Sequence, residues 1–236
     1  MPILSARAVT KTYRSGALEV QALGGVDLDV EAGDFVIVMG PSGNGKTTLL
    51  NCLSGLDEID EGSVVIEGKN IHELSDRART KHRASSMGFV FQAYNLIPVL
   101  SAVENTELPL LVNGTNPRQA RSAAIAMLER VGLAARVDHR PNELSGGEQQ
   151  RVTIARALVA KPAIVWADEP TGNLDSETAV SVLELVKEVN DDGQTIVMVT
   201  HEADIIEMAD RLVLIHDGLI EYDGAPGRAP RRLQAV

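Results

Sequence analysis

One stretch constrains what this chain can fold into more than any other: Gly40-Pro41-Ser42-Gly43-Asn44-Gly45-Lys46-Thr47-Thr48. It satisfies every fixed position of the pattern G-x-x-x-x-G-K-[ST]. Before it, Phe35-Val36-Ile37-Val38-Met39 is a continuous apolar run, as expected of a strand buried on both faces. After it, Thr48-Leu49-Leu50-Asn51-Cys52-Leu53 predicts a helix that stops near Gly55. Strand, glycine loop and helix in this order make a phosphate cradle. Glycines let successive backbone N–H groups turn toward one anion, and the helix N-terminus adds its partial positive charge. In such a cradle Lys46 reaches the outer phosphates and the Thr47 hydroxyl ligates Mg²⁺. A glycine-rich turn that merely carries a surface lysine would not need the flanking strand and helix.

Three apolar runs have the same design. Ala163-Ile164-Val165-Trp166-Ala167 ends in Asp168-Glu169, and Thr195-Ile196-Val197-Met198-Val199-Thr200 ends at His201. Each of the three strands is followed by a helix and presents polar residues at its carboxyl end, which predicts a parallel α/β sheet with ligands at that edge. Around this core, residues 3–34 alternate with turn signals: Leu4–Val9, Leu18–Val20 and Val26–Val30 read as antiparallel strands. Ser63–Gly68 reads as a further short strand, and Asp217-Gly218 between apolar runs as a hairpin. Residues about 97–142 change to helical character. Ser101–Leu108 predicts a helix ended by Pro109, and Asn116-Pro117 starts another that runs to Val131 before Gly132. Ser145 and Glu148 form a capping box for a helix to about Ala160, and Asp175 or Ser176 caps one to about Val189. The stretch 224–236, with two prolines and Arg228, Arg231 and Arg232, is expected to be a flexible tail, with a membrane-facing role for its arginines as the alternative.

Composition narrows the function classes. The 236 residues suffice for one domain or a domain with a subdomain. No apolar run approaches the ~20 residues that span a bilayer. Residues 1–10 lack the basic-then-apolar pattern of a secretory leader. The single Cys52 excludes an internal disulfide and points to a reducing compartment. The formal net charge of −11 comes without a basic stripe, which argues against a nucleic-acid partner and against adsorption on anionic lipid.

The polar strand ends supply a hydrolytic set. Asp168 suits an Mg²⁺ ligand, directly or through water, or the cap of a following turn. Glu169 can orient and deprotonate a water for in-line attack on a γ-phosphorus, or be a solvated charge. His201 can donate to a γ-phosphate, or be an exposed strand end. Gln92, which ends the short run Gly88–Phe91, can touch Mg²⁺ or the attacking water. The helix beginning Ser145-Gly146-Gly147-Glu148 is a second anion site. One nucleotide does not need two such sites from one chain.

These residues in this order resemble the ATP-binding-cassette ATPases, over roughly residues 3–223. Gly40–Thr48 (Gly40, Pro41, Ser42, Gly43, Asn44, Gly45, Lys46, Thr47 and Thr48) matches the Walker A loop, and Gln92 the Q-loop. Leu144-Ser145-Gly146-Gly147-Glu148-Gln149-Gln150-Arg151 matches the family's signature sequence. Ile164–Glu169 matches Walker B with its catalytic glutamate, Asn173-Leu174-Asp175 the D-loop, and His201 the switch histidine. Tyr13 stands at the place of the aromatic that stacks on adenine. The resemblance implies an α/β phosphate-loop core with an N-terminal antiparallel β subdomain and a helical subdomain inserted at 97–142, all one ATPase domain spanning 1–223. It implies ATP and Mg²⁺ as ligands, Lys46, Gln92, Glu169 and His201 as the catalytic set, and Thr47, Gln92 and Asp168 at the metal. It also implies that Ser145–Glu148 and Asp175 meet the nucleotide of a second cassette, and that residues 92–110 couple to a separate integral-membrane permease, with the chain peripheral on the cytoplasmic face of the membrane. Ala22–Val26, Leu53–Asp57, Val103–Asn105 and Glu107–Leu110 are similar to the lipoprotein-releasing, macrolide-exporting and cell-division cassettes. The expected function is therefore an ATPase that drives a permease, with a cassette that signals through a permease-like partner to an extracytoplasmic hydrolase as the alternative.

Overall fold

The computed structural model describes residues 2–16 and 18–229. In chain order its elements are β1 (Leu4–Ser15), β2 (Leu18–Val30), β3 (Phe35–Met39), α1 (Lys46–Ser54), β4 (Glu61–Ile66), β5 (Lys69–Asn70), α2 (Asp76–Ser86), β6 (Met87–Phe91), α3 (Ala102–Val112), α4 (Pro117–Arg130), α5 (Gly146–Leu158), β7 (Ile164–Asp168), α6 (Ser176–Asp191), β8 (Thr195–Val199), β9 (Arg211–His216) and β10 (Leu219–Gly224). They form two compact units, one of residues 1–79 with 193–236 and one of residues 80–192.

In the first unit, β1 pairs antiparallel with β2 and with β4, and β5 extends that sheet beside β4. Leu4, Ala6, Val9, Leu23, Val26, Leu28 and Val30 are buried. The expected three short segments are two long strands. A bulge after Ala6 shifts the register, and Ala8 (φ 47°) turns its N–H from the ladder onto Asp27 Oδ1 at 2.8 Å. Two further register shifts put the extra residue on β2, between Gly24 and Val26 and between Gln21 and Leu23, and they reset its two-residue alternation, so Leu18–Val20 and Val26–Val30 read as separate pieces of one strand. β3 runs parallel to both β8 and β9, and all five of its residues are buried, as its unbroken apolar run requires. β9 and β10 form the expected hairpin around Asp217 and Gly218, both left-handed (φ 47° and 73°).

In the second unit, β6 and β7 pair in parallel from Met87↔Ile164 to Phe91↔Asp168. Residues 97–142 contain α3, α4, a short 3-10 turn at Ala134–Arg136 and the start of a second, Pro141–Glu143. α4 starts as expected, with the Asn116 side chain accepting from the Arg118 N–H and Pro117 in the first helical position. It buries Ala120, Ala124 and Leu128. α3 corrects an expectation: it does not end before Pro109 but runs through it to Val112. Its start is secured by a Ser101–Glu104 capping box, and it buries Val103, Thr106 and Glu107, so tertiary packing outweighs the one backbone bond that proline removes. α2 was not foreseen. It is almost entirely polar, burying only His82 and Ser86, and so offers no apolar period to detect.

At the chain's end, the Tyr222 hydroxyl donates to the Ala225 carbonyl at 2.7 Å, Pro226–Arg228 makes a 3-10 turn, and Ala229 is buried. The rest of the expected tail, including Arg231 and Arg232, lies outside the described residues.

Candidate functional site

The site residues divide between the two units. Tyr13, the loop Gly40–Thr48 and His201 belong to the first; Gln92, Ser145–Glu148, Asp168, Glu169 and Asp175 belong to the second.

In the first unit, β3 delivers the chain to the glycine loop and α1 carries it away. Gly40 (φ 154°) and Gly45 (φ 93°) have to be glycine: a Cβ on Gly40 would stand 2.1 Å from the Ile215 carbonyl oxygen, and one on Gly45 2.4 Å from that of Ala22. Neither close approach nor positive φ is open to an L side chain. The Lys46 side chain is 8 % exposed and curls into the loop, where Nζ donates to the carbonyls of Gly40 at 2.7 Å and Pro41 at 2.9 Å. No side chain caps α1 and no acidic residue occupies its first turn, so the helix start keeps its positive character. Thr47 is exposed at the same turn. Asn44, a variable position of the pattern, anchors the loop to the β9–β10 hairpin: its Oδ1 accepts the Asp217 N–H at 2.7 Å. His201 follows β8, whose last residue pairs with Val38 of β3, so the histidine emerges at the same sheet edge as the loop.

Tyr13 is 43 % exposed. Its hydroxyl donates to Asp57 Oδ2 at 2.8 Å, and Lys11 Nζ sits 5.1 Å from the ring centroid while donating to Asp57 Oδ1 at 2.9 Å. Burial pushes the Tyr13 hydroxyl pKa up, a bond with Thr48 pulls it back, and the Asp57 carboxylate raises it further, leaving it above the ordinary value. Burial works against the Asp57 charge, but the Lys11 and Tyr13 bonds and the Glu58 N–H together hold that carboxyl below the usual range. Cys52 is buried close by, and burial pushes its thiol up to about 12, too high for a nucleophile.

In the second unit, Gln92 and Asp168 leave the paired ends of β6 and β7, and the Gln92 N–H donates to the Asp168 carbonyl at 3.0 Å. Asn173 holds the Gln92 carbonyl through Nδ2 at 2.8 Å. Glu169 is left-handed (φ 46°), a conformation that costs a non-glycine residue of order 1–3 kcal/mol and tends to mark functional positions. The Gly172 N–H donates to its carbonyl at 3.1 Å. Asp175 is the N-cap of α6, accepting from the Thr178 N–H at 3.0 Å and the Thr178 hydroxyl at 2.8 Å, and those bonds lower its pKa.

α5 begins with the expected capping box. The Glu148 N–H donates to Ser145 Oγ at 3.2 Å, and the Ser145 N–H to Glu148 Oε2 at 2.8 Å. Glu148 also pairs with Arg136 at 2.8 Å; Arg136 and then the Ser145 N–H hold its carboxyl below the ordinary range. With Ser145 as the cap, Gly146 and Gly147 are the first two residues of the helix, and a Cβ on Gly147 would meet Thr178 Cγ2 at 2.3 Å. That glycine admits α6, a packing requirement that resembles an anion nest in sequence.

Three long-range partners had no local signal: Asn173 for Gln92, Arg136 for Glu148, and Asp57 for Tyr13. Thr47 of the first unit offers a hydroxyl oxygen, and Gln92 and Asp168 of the second offer an amide and a carboxylate oxygen, each a hard ligand of the kind Mg²⁺ prefers.

The profile of a family described as ABC transporter matches residues 23–172. An uncharacterized ABC transporter ATP-binding protein of Thermotoga maritima is 47% identical over 213 residues, 90% of this chain and 91% of that protein. The lipoprotein-releasing system ATP-binding protein LolD of Alcanivorax borkumensis is 45% identical over 220 residues, 93% of this chain and 96% of LolD. The macrolide export ATP-binding/permease protein MacB of Brucella melitensis is 44% identical over 222 residues, but the chain spans only 34% of MacB's length. Among solved structures, the dimeric ATP-binding cassette MJ0796 in a post-hydrolysis state bound to ADP and Pi superposes with a TM-score of 0.87 at 42% identity, over 94% of this chain and 98% of that one.

Proposed function

The chain belongs to the ABC transporter family as an ATP-binding, ATP-hydrolysing subunit, and from that premise we propose that it drives a separate permease of the lipoprotein-release or export type through closure of a head-to-tail cassette dimer. The observation that carries the reading is the division of labour between the two glycine-rich helix starts. α1 is uncapped and holds the buried Lys46 ammonium, whereas α5 caps itself with Ser145 and Glu148. The first is built to hold a nucleotide's phosphates, and the second to be offered to the nucleotide of another chain. Residues 1–223 act as one ATPase domain with 97–142 as its helical insertion, and 224–236 as a tail. No helix among the described residues is long and apolar enough to cross a membrane. The subunit sits peripherally on the cytoplasmic face, against the permease.

In this mechanism Tyr13 stacks on adenine while backbone N–H groups of 40–48 and Lys46 hold the β- and γ-phosphates. Thr47, Asp168 and Gln92 would hold Mg²⁺, which supplies charge neutralisation across the phosphate oxygens when bound. Glu169 orients a water in line with the γ-phosphorus and accepts its proton. His201 donates to the γ-phosphate, and the partner's α5, with Ser145, Gly146, Gly147 and Glu148, closes over the far side beside Asp175. Names of relatives that specify lipoprotein release and macrolide export favour transport over a purely signalling cassette.

Glu169→Gln tests the chemistry. Turnover should fall by about 10²–10⁴-fold, the range for losing a general base, while ATP binding persists and an ATP-bound dimer accumulates on size-exclusion chromatography. Unchanged turnover would remove Glu169 from this role.

A further inference from the structure

The loop leaving β6 passes twice through a conformation that L residues avoid: Tyr94 and Asn95 have φ of 58° and 52°. Such residues persist only where the surroundings over-determine them. Arg156, late in α5, does so. Its Nη2 donates to the Tyr94 carbonyl at 2.9 Å and its Nη1 to the Asn95 carbonyl at 2.6 Å. A planar two-donor fork matches two adjacent carbonyls in a way that a lysine point charge does not. The arginine is half-buried, and burial lowers its pKa. Packing alone would be served as well by an apolar side chain, without the cost of desolvating a charge. The same loop meets α5 again at its start, where a Cβ on Gly146 would lie 2.9 Å from the Tyr94 hydroxyl. α5 therefore touches the loop at both of its ends. The loop begins at Gln92, whose N–H and carbonyl are themselves fixed by Asp168 and Asn173.

We infer that Arg156 is a positioning residue that clamps the Gln92 loop to α5, so that Gln92 and the Ser145 end of the helix move as one piece. The inference rests on the roles proposed above for Gln92 and Ser145. It assigns to Arg156 no contact with nucleotide. Its function is to keep Gln92, placed at the metal of the chain's own nucleotide, in step with the helix offered to the partner's nucleotide.

The test compares full-length Arg156→Gln and Arg156→Lys with Gln92→Ala and Ser145→Ala, by hydrogen–deuterium exchange and steady-state ATPase assay. Arg156→Gln should speed exchange over residues 92–96 by about ten-fold or more, with α4 exchanging at the wild-type rate, as release of a local rather than a global unit requires. Its kcat should fall by about ten-fold with KM for ATP within about two-fold, the pattern of a lost step rather than lost binding. Arg156→Lys should lie between, and it carries the test if the glutamine variant does not fold. Unchanged exchange over 92–96 overturns the clamp, and so does equally faster exchange over α4, which would make Arg156 a general stability residue. If Gln92→Ala and Ser145→Ala lose turnover while the Arg156 variants keep it, the clamp falls and the proposed roles stand. If the Arg156 variants loosen the loop while Gln92→Ala and Ser145→Ala keep full turnover, the clamp stands and those roles fall.

Discussion

The helix starts at Gly45 and at Gly146-Gly147 look alike in sequence and are opposite in construction. At α1 the glycines serve the backbone: Gly45 is left-handed, passes close to the Ala22 carbonyl, and leaves the helix without a side-chain cap. At α5 the helix is closed by its own Ser145–Glu148 box, and Gly147 makes room for a methyl of Thr178. The first start carries a buried cation, the second a carboxylate paired with Arg136. An uncapped positive start suits a primary phosphate site. A self-capped start bearing a carboxylate holds phosphate only when something else brings it there. Glycine at a helix start therefore does not define one function.

The largest expected effect separates the two starts. Lys46→Ala should lower turnover by about 10²–10³-fold, the size of losing a preorganised charge at a developing anion, and weaken ATP binding to the single chain. Ser145→Ala should leave that binding unchanged, as isothermal titration would show. Equal losses in both would break the distinction.

The next effect is steric. Gly147→Ala places a carbon where only 2.3 Å separates it from Thr178 Cγ2, and should destabilise by about 1–3 kcal/mol, the usual cost of overpacking. Thr178→Ser removes that methyl and should restore most of the loss in a double variant, read by denaturant unfolding. A wild-type midpoint for Gly147→Ala would return the glycine to a role toward phosphate.

The smallest effect is electrostatic. Arg136 and the Ser145 N–H lower the Glu148 pKa in the folded chain. The contribution of this group to stability is thus present in full above the ordinary glutamate pKa of 4.5 and is lost as pH falls through the lowered folded value. Arg136→Gln should therefore lower stability slightly at pH 7 and make no difference at a pH well below the folded value, read by denaturant unfolding at the two pH values; an equal loss at both would show that the pair does not act through the Glu148 charge.

Much of this was legible in the chain. Phe35–Met39 and Thr195–Val199 read as buried strands because no polar residue interrupts them, and their polar ends named Lys46, Thr47 and His201 as a set. The capping boxes at Ser101 and Ser145 are local, four-residue patterns, and both formed. What stayed hidden was either unpatterned or distant. α2 buries too little to show a period, and Pro109 sits inside a helix whose packing overrides a reliable local breaker. The Asn44–Asp217 bond joins positions 173 apart, and the Gln92–Asn173 bond positions 81 apart, which no window of sequence contains. Local rules single out the candidate groups, and tertiary contacts decide which backbone holds them.

The central claim is that α1 of one chain and α5 of another make one hydrolytic site, and complementation tests it most directly. Lys46→Ala disables the phosphate loop and Ser145→Arg blocks the second helix start, so each homodimer should be inactive. Mixed in equal amounts, the two variants should form heterodimers with one intact site and regain ATPase activity well above either parent. Activity of the mixture no higher than that of the separate variants, with heterodimers present by native mass spectrometry, would contradict the account.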